Sequence, residues 1–449
     1  MNHEKPITSL TAGDVIDLSK SFKWNNEYSQ NAIRTYLGVA KYDDMRTVEH
    51  GTSVPLGLVL RYSVTDFLDK NGYKVDRITY LGRDGEYGAN FSNVEYAPKK
   101  SRSCLSNGSI LFAKGADHYV YSVEPTQEGY HFKLAGKNVE GDKSPAELLD
   151  ALVKYAHDNN FLRGQKMDAS CNFIDFNEKY DWDSLILPAK LKKEIHRNIS
   201  NLIDNVDVYA KNNLVVKRGL IFHGKPGTGK SLLGKILCQQ IDWTFVWVTP
   251  KHLVYPKNVA NIVGICRDLA PTVLFLEDLD LYARDRNETQ HGHSALLGEL
   301  MNQLDGIQEN KNIITIATTN QKDVLEKALL DRPGRFDKVL EFPPPNEECR
   351  IQMIKSFLKK IKLASDVKIE DLGKATQELC GAHIKELVHL AILHAVDEKS
   401  WDENKLLLLK KDHFTLALAG VAKKDFKKLG FEVATPNTED DCGYGPDDY

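Results

Sequence analysis

"GLIFHGKPGTGKSLLGKILCQQI", Gly219–Ile241, decides how the middle of this 449-residue chain folds. A short apolar run, GLIFH, reads as a buried strand. The next eight residues fit G-x-x-x-x-G-K-[ST] at every fixed position, and a helical run follows directly. Each part answers a chemical need. Gly224, Gly227 and Gly229 carry no Cβ, so backbone N–H groups can wrap around phosphate oxygens. Lys225, Pro226 and Thr228 complete the loop, and Leu232 continues the helix. Lys230 sets a cation against β- and γ-phosphates, and the Ser231 hydroxyl is a ligand for Mg²⁺. The helix N-terminus adds its positive end. A chance glycine-rich turn would lack the strand before and the helix after.

Working outward, TFVWV (Thr244–Val248), TVLFLE (Thr272–Glu277) and NIITIAT (Asn312–Thr318) are also short and apolar on both faces. That is the pattern of buried parallel strands, and helical segments lie between them. Residues 181–345 are therefore expected to form a doubly wound α/β domain. After PPPN (Pro343–Asn346) the strands are expected to stop. RIQMIKSFLKKIK, AHIKELVHLAILHAV and FTLALAGVAKKDFKKL then predict a helical domain over 346–431. Residues 1–165 read as an α+β unit, with strands at DHYVYSVE (Asp117–Glu124) and GYHFKLAG (Gly129–Gly136). Ser144 as N-cap, Pro145 at the first helical position and Glu147 closing a capping box predict a helix through LLDALVKYA. His118 and His131 lie in strand-like runs and read as packing or surface residues. The acidic stretch 432–449 is expected to be a disordered tail.

Composition narrows the function classes. The hydrophobic fraction (42%) and charged fraction (27%) suit a soluble globular protein, and a net charge of −4 gives no overall case for nucleic-acid binding. No apolar run reaches the roughly 18–20 residues of a membrane helix. MNHEKPITSL lacks a secretory pattern. The seven cysteines are scattered without a CxxC pair, so they are read as reduced thiols in a cytoplasmic protein.

The second chemical element is LFLEDLD, Leu274–Asp280. A strand ending in two carboxylates lets one hold Mg²⁺ and the other polarise the attacking water. Such pairs mostly read Asp then Glu; here Glu277 precedes Asp278. One methylene moves a carboxylate by roughly 1–1.5 Å, and a displacement of that size can cost about a hundredfold in rate. Three readings stay open on the residues alone. The backbone compensates and Glu277 takes the metal while Asp278 takes the water; the site is a nucleotide-dependent switch; or Asp278 takes the metal and Leu279 falls at the catalytic place.

Together with TTN at Asn320, ALLDRPGRFD (Ala328–Asp337), MNQLDG (Met301–Gly306) and GAHI (Gly381–Ile384), these motifs resemble the AAA family of ATPases over about residues 181–431. The resemblance implies ATP and Mg²⁺ as cofactors. It implies that Asn320 orients the attacking water, and that Arg332 and Arg335 are arginine fingers reaching a neighbouring subunit's γ-phosphate in a hexameric ring. Gly381 and Ala382 would pack beside the adenine; the family usually has Asp where His383 stands. The Glu-Asp order is similar to that of the subgroup of the mitochondrial chaperone that assembles the cytochrome bc complex. That favours a working site, although the subgroup's N-terminal membrane helix has no counterpart here. Tyr255, in TPKHLVYPKNV, lies where the family exposes a pore aromatic. His389 and His394 make no HExxH, and HGH (His291–His293) reads as solvated. The expected function is an ATPase that remodels or translocates a protein partner recruited through residues 1–165. An ATP-gated oligomeric scaffold with little hydrolysis, or a nucleic-acid motor, are the alternatives.

Overall fold

Strand β6, Asp117–Pro125, shows why the N-terminal sheet is covered on both sides. Successive side chains of a strand point to opposite faces. Val120 faces one way with Leu111 and Ala135, while Tyr119, Tyr121 and Val123 face the other with Phe112, Phe132 and Leu134. The computed structural model, which describes residues 27–127, 129–141, 143–281, 292–305, 310–321 and 336–428, shows what covers each face. Helix α1 (Glu27–Leu37) brings Ile33 and Leu37 to the first. Helices α2 (Val54–Lys70) and α3 (Pro145–Asp158) bring Val59, Leu60, Leu149 and Leu152 to the second. The sheet joins β1 (Met45–Ser53), β2 (Lys74–Leu81), β3 (Glu86–Tyr87), β4 (Asn90–Ala97), β5 (Lys100–Lys114), β6 and β7 (Gly129–Lys137). Its order is β1-β7-β6-β5-β2-β3, with β4 paired to β5, and every pairing is antiparallel.

The expected strands and helix of this unit are present. His118 packs edge-on to Tyr36, and His131 lies across from Gly51. Ser144 caps α3, but its hydroxyl accepts from the Ala146 N–H at 3.2 Å and not from the Glu147 amide that a capping box uses.

The second sheet is parallel throughout, in the order β13-β9-β12-β11-β10-β8. Its strands are β8 (Lys166–Asp168), β9 (Lys217–His223), β10 (Thr244–Val248), β11 (Thr272–Leu276), β12 (Ile313–Thr319) and β13 (Lys338–Glu341). Short helices α4 (Ala189–Asn198), α5 (Ser200–Asp204) and α6 (Val206–Lys211) lead into β9. One face carries Leu220, Phe222, Val273, Phe275, Ile314 and Ile316 against α7 (Lys230–Gln240). The opposite face carries Leu274, Leu276 and Ile313 against α8 (Pro256–Asp268) and α9 (Gly292–Asp305). That second core runs without a break into Leu152 and Ala156 of α3, through Leu162 and Met167. The N-terminal unit and the parallel sheet are thus packed together, and β8, which precedes residue 181, already belongs to the parallel sheet.

Beyond β13, α10 (Glu347–Phe357), α11 (Ile369–Ala375), α12 (Gly381–Asp397) and α13 (Lys411–Lys428) bury Ile354, Leu372, Ile384, Leu387, Ala391 and Phe414 among themselves. Strands do not stop entirely here. Lys362–Leu363 and Leu408–Leu409 form a two-residue parallel pair, and α10 ends at Phe357, short of the helical run expected from the sequence. Among the described residues no helix is long and apolar enough to cross a membrane. Cys104, Cys238, Cys266, Cys349 and Cys380 are buried free thiols, with Cys171 half-buried. Burial pushes the Cys171 and Cys238 thiols up to about 12, so they are not nucleophiles at neutral pH. Cys442 and the acidic stretch 432–449 lie outside the described residues.

Candidate nucleotide site

The loop of residues 224–229 leaves the C-terminal end of β9 and turns into α7, which begins at Lys230. Gly227 (φ +77°) and Gly229 (φ +106°) adopt left-handed backbone that side-chain-bearing residues rarely tolerate. Gly227 is constrained a second time. A Cβ there would stand 2.6 Å from Cys380 Sγ and 2.8 Å from Ala382 Cβ, because the start of α12 lies over the loop. The Ala382 N–H donates to the Gly227 carbonyl at 3.3 Å. Gly381 and Ala382 are thus brought to the phosphate loop. Lys225 and Pro226 are exposed beside Gly227, and the Thr228 hydroxyl donates to the Lys225 carbonyl at 2.9 Å. Lys230 is buried, with Nζ donating to the carbonyls of Gly224 (2.7 Å) and Lys225 (3.0 Å). Burial lowers its pKa, while the negative charges of Asp278 and Asp280 act the other way. Ser231 occupies the first turn of α7, and Leu232 packs at the margin of the core beneath it.

The carboxylates stand where β11 ends, across the same edge of the sheet. Glu277 donates its N–H to the Val248 carbonyl at 2.8 Å, still following the sheet. Asp278 then turns into left-handed backbone (φ +48°), a conformation that Asp tolerates better than most residues. Its N–H donates to Thr318 Oγ1 at 2.9 Å. Leu279 is bonded through its N–H to the Thr318 carbonyl, and its side chain is buried in the core. The turn therefore separates the two acids. Glu277 Oε2 accepts from the Trp247 indole N–H at 2.9 Å, whereas Asp278 Oδ1 accepts from Asn320 Nδ2 at 3.3 Å. Burial raises the Asp278 pKa, and the neighbouring Glu277 and Asp280 charges add to this. Lys230 and the Asn320 bond pull it down.

Two residues at this edge escaped sequence reading. Asp280 is fully buried, and its Oδ1 accepts from Thr319 Oγ1 (3.1 Å) and from the Asn320 N–H (2.9 Å). It fixes the backbone from which Asn320 reaches Asp278. The only sequence cue was a third acid in LEDLD, two positions beyond the pair. Trp247 had no cue, since its role needs the register of β10 against β11.

Of the remaining candidates, Tyr255 precedes α8 and is 66% exposed, beside the exposed Val254. His252 holds the base of that loop, its Nδ1 accepting from the Thr249 N–H at 3.0 Å. His383 folds back on the start of its own helix, with Nδ1 3.2 Å from Cys380 Sγ. Arg332, Arg335 and His291 lie outside the described residues.

A parallel sheet whose strand ends gather a glycine loop, a buried lysine, an acidic pair and a polar asparagine defines the class of P-loop nucleoside triphosphatases. Within that class, residues 220–344 match the ATPase family associated with various cellular activities, the AAA family. The cell division cycle protein 48 homolog of Archaeoglobus fulgidus is 28% identical over 346 residues, covering 72% of this chain and 46% of that relative. The chain spans about half the length of the curated relative it matches. Residues 220–344 are thus similar to an AAA ATPase domain.

Proposed function

We propose that this protein hydrolyses ATP with Asp278 acting on the attacking water and Asn320 orienting it. Its cycles would drive remodelling or translocation of a protein partner. The observation that supports the reading is the Asn320–Asp278 contact, with Asp278 close enough to Lys230 for their charges to interact, a pairing of polar strand-end residue and carboxylate that suits one attacking water. Leu279 in the core argues against the register that would place it at the catalytic point. The Glu-Asp order shared with the subgroup of the cytochrome bc assembly chaperone is then a variant arrangement of a working site.

The triphosphate would lie in the cradle of Gly224–Leu232, competing with the Gly224 and Lys225 carbonyls for the Lys230 cation. Gly381 and Ala382, which meet Gly227, would close the adenine side, making the helical segment 346–431 a lid on the ATPase core 181–345. Ser231 and Glu277 supply hydroxyl and carboxylate oxygens, the donor type Mg²⁺ takes, and would hold it there. When bound, that ion neutralises charge on the β- and γ-phosphate oxygens. Arg332 and Arg335 are proposed to complete a neighbouring subunit's site in a ring, with hexameric closure and a cytoplasmic setting as part of the same reading. Residues 1–165 are proposed to recruit the partner, and the exposed Tyr255 to grip it.

Steady-state phosphate release from the wild type, Lys230→Ala and Asp278→Asn tests this. Turnover lost in both variants is the expected result. A wild type that assembles on ATP without releasing phosphate would make the protein an ATP-gated scaffold. Salt-sensitive stimulation by DNA or RNA would favour a nucleic-acid motor. Arg335→Ala should abolish turnover and spare ATP binding; full activity in that variant would sink the ring arrangement.

A further inference from the structure

We propose that Trp247 is the positioning residue for Glu277, and that its indole N–H absorbs the extra methylene which the exchanged acidic pair places on the metal side. The inference rests on the assignment of Glu277 as the Mg²⁺-side carboxylate. Trp247 is on β10, directly opposite Phe275 of β11, and is 8% exposed. Its ring lies 4.7 Å from Phe275, 5.9 Å from Phe245 and 6.3 Å from Phe176, centroid to centroid. On the remaining side is Gly234 of α7, where an added Cβ would come within 2.9 Å of Trp247 Cη2 and 2.5 Å of Phe275 Cζ. A ring packed on all these sides has one orientation. Its N–H is therefore a fixed donor, 2.9 Å from Glu277 Oε2.

Fixing one oxygen of Glu277 has two effects. It removes the freedom of the additional rotatable bond that Glu has over Asp, leaving Oε1 as the oxygen available to the cation or its water. It also links two structural elements, since the ring packed against Gly234 sits less than one turn along α7 from Ser231. The hydroxyl and the carboxylate proposed to share the ion are thus referred to one rigid side chain. Groups that orient a metal's ligands typically alter metal affinity by about 10–100-fold when removed. A Trp merely satisfying its buried N–H with the nearest acceptor would have no such effect on the metal.

Trp247→Phe keeps an aromatic ring at this position and deletes the donor. The measurement is the affinity of a fluorescent, non-hydrolysable ATP analogue with the full chain, in EDTA and across a Mg²⁺ titration. The expected result is unchanged affinity in EDTA and a Mg²⁺ midpoint raised about tenfold. Trp247→Phe combined with Glu277→Asp, whose shorter side chain needs no tether, should recover part of the loss. An unchanged Mg²⁺ midpoint in Trp247→Phe, with Glu277→Ala strongly weakened, overturns the positioning role alone. An unchanged midpoint in Glu277→Ala overturns the metal-side assignment as well. Should Trp247→Phe not fold, indole N–H resonances of the ¹⁵N-labelled wild type give a second readout. The one displaced by Glu277→Ala should move when Mg²⁺ joins the nucleotide and stay put with nucleotide in EDTA. A resonance that ignores Mg²⁺ overturns the proposal.

Discussion

The two sheets use their polar side chains in opposite ways. In the antiparallel sheet, the buried Arg61 donates to the Leu105 and Cys104 carbonyls, to the Tyr130 hydroxyl and to Ser92 Oγ. Every one of these bonds is internal, so the guanidinium holds α2 to β4, β5 and β7. In the parallel sheet the polar groups collect at one edge, where all the C-terminal strand ends point the same way. There the charges of Asp278 and Asp280 act on a buried lysine whose hydrogen bonds, among the described residues, go to its own loop, and Asn320 bonds Asp278. Parallel topology delivers strand ends to a common edge, whereas antiparallel neighbours alternate and spread theirs. The same chemistry, a buried cation with polar neighbours, is structural in one sheet and available to a ligand in the other.

Mutation should separate the two. Lys230→Ala carries the largest expected effect, a loss of at least a thousandfold in ATPase kcat/KM, about 4 kcal/mol, with far smaller change in folding stability. Arg61→Met should do the reverse. It strands several buried acceptors and is expected to cost about 3 kcal/mol in urea unfolding, while ATP affinity of the folded protein stays within about twofold. Loss of ATP binding in Arg61→Met would break the comparison. Gly227→Val is intermediate, because it clashes with Cys380 and Ala382 and strains a left-handed residue. Nucleotide affinity should fall about tenfold, with a stability loss of about 1–2 kcal/mol.

The smallest effect comes from pH. Burial raises the Asp278 pKa in the nucleotide-free fold, so the folded chain keeps that proton to higher pH than the unfolded chain. Stability is therefore lost as pH rises from the ordinary carboxylate value through the raised one. Asp278→Asn should give a slightly higher unfolding midpoint at pH 7 than the wild type, and the advantage should vanish at pH 3. A variant less stable than the wild type at pH 7 would show Asp278 to be structural, as Arg61 is.

Legibility followed the range of each interaction. The phosphate loop is one contiguous segment, so its glycines, lysine and following helix could be read together. Strands β9 to β12 announced themselves because both faces are apolar. Three-residue β8 carries no period to read, and its place depends on pairing with Trp247 and its neighbours on β10. Asp280 and Trp247 act through partners 40 and 30 positions away, respectively, and only the sheet register brings them together. Family resemblance gave Gly381 and Ala382 a place beside the adenine, but no local pattern announced their packing on Gly227.

The seam at β8 also has a mechanical meaning. Lys166 anchors that strand by gripping the Ile241 and Trp243 carbonyls, and Phe245 donates its N–H to Gln165. The chain enters the parallel sheet here directly from the N-terminal unit. A pull carried along the backbone from that unit passes through β8 to β10, the strand it pairs with. β10 ends in the turn that leads to Tyr255, and its Trp247 holds Glu277. Tension passed along the chain from the N-terminal unit would thus reach the strand that touches both the exposed aromatic loop and the acidic pair.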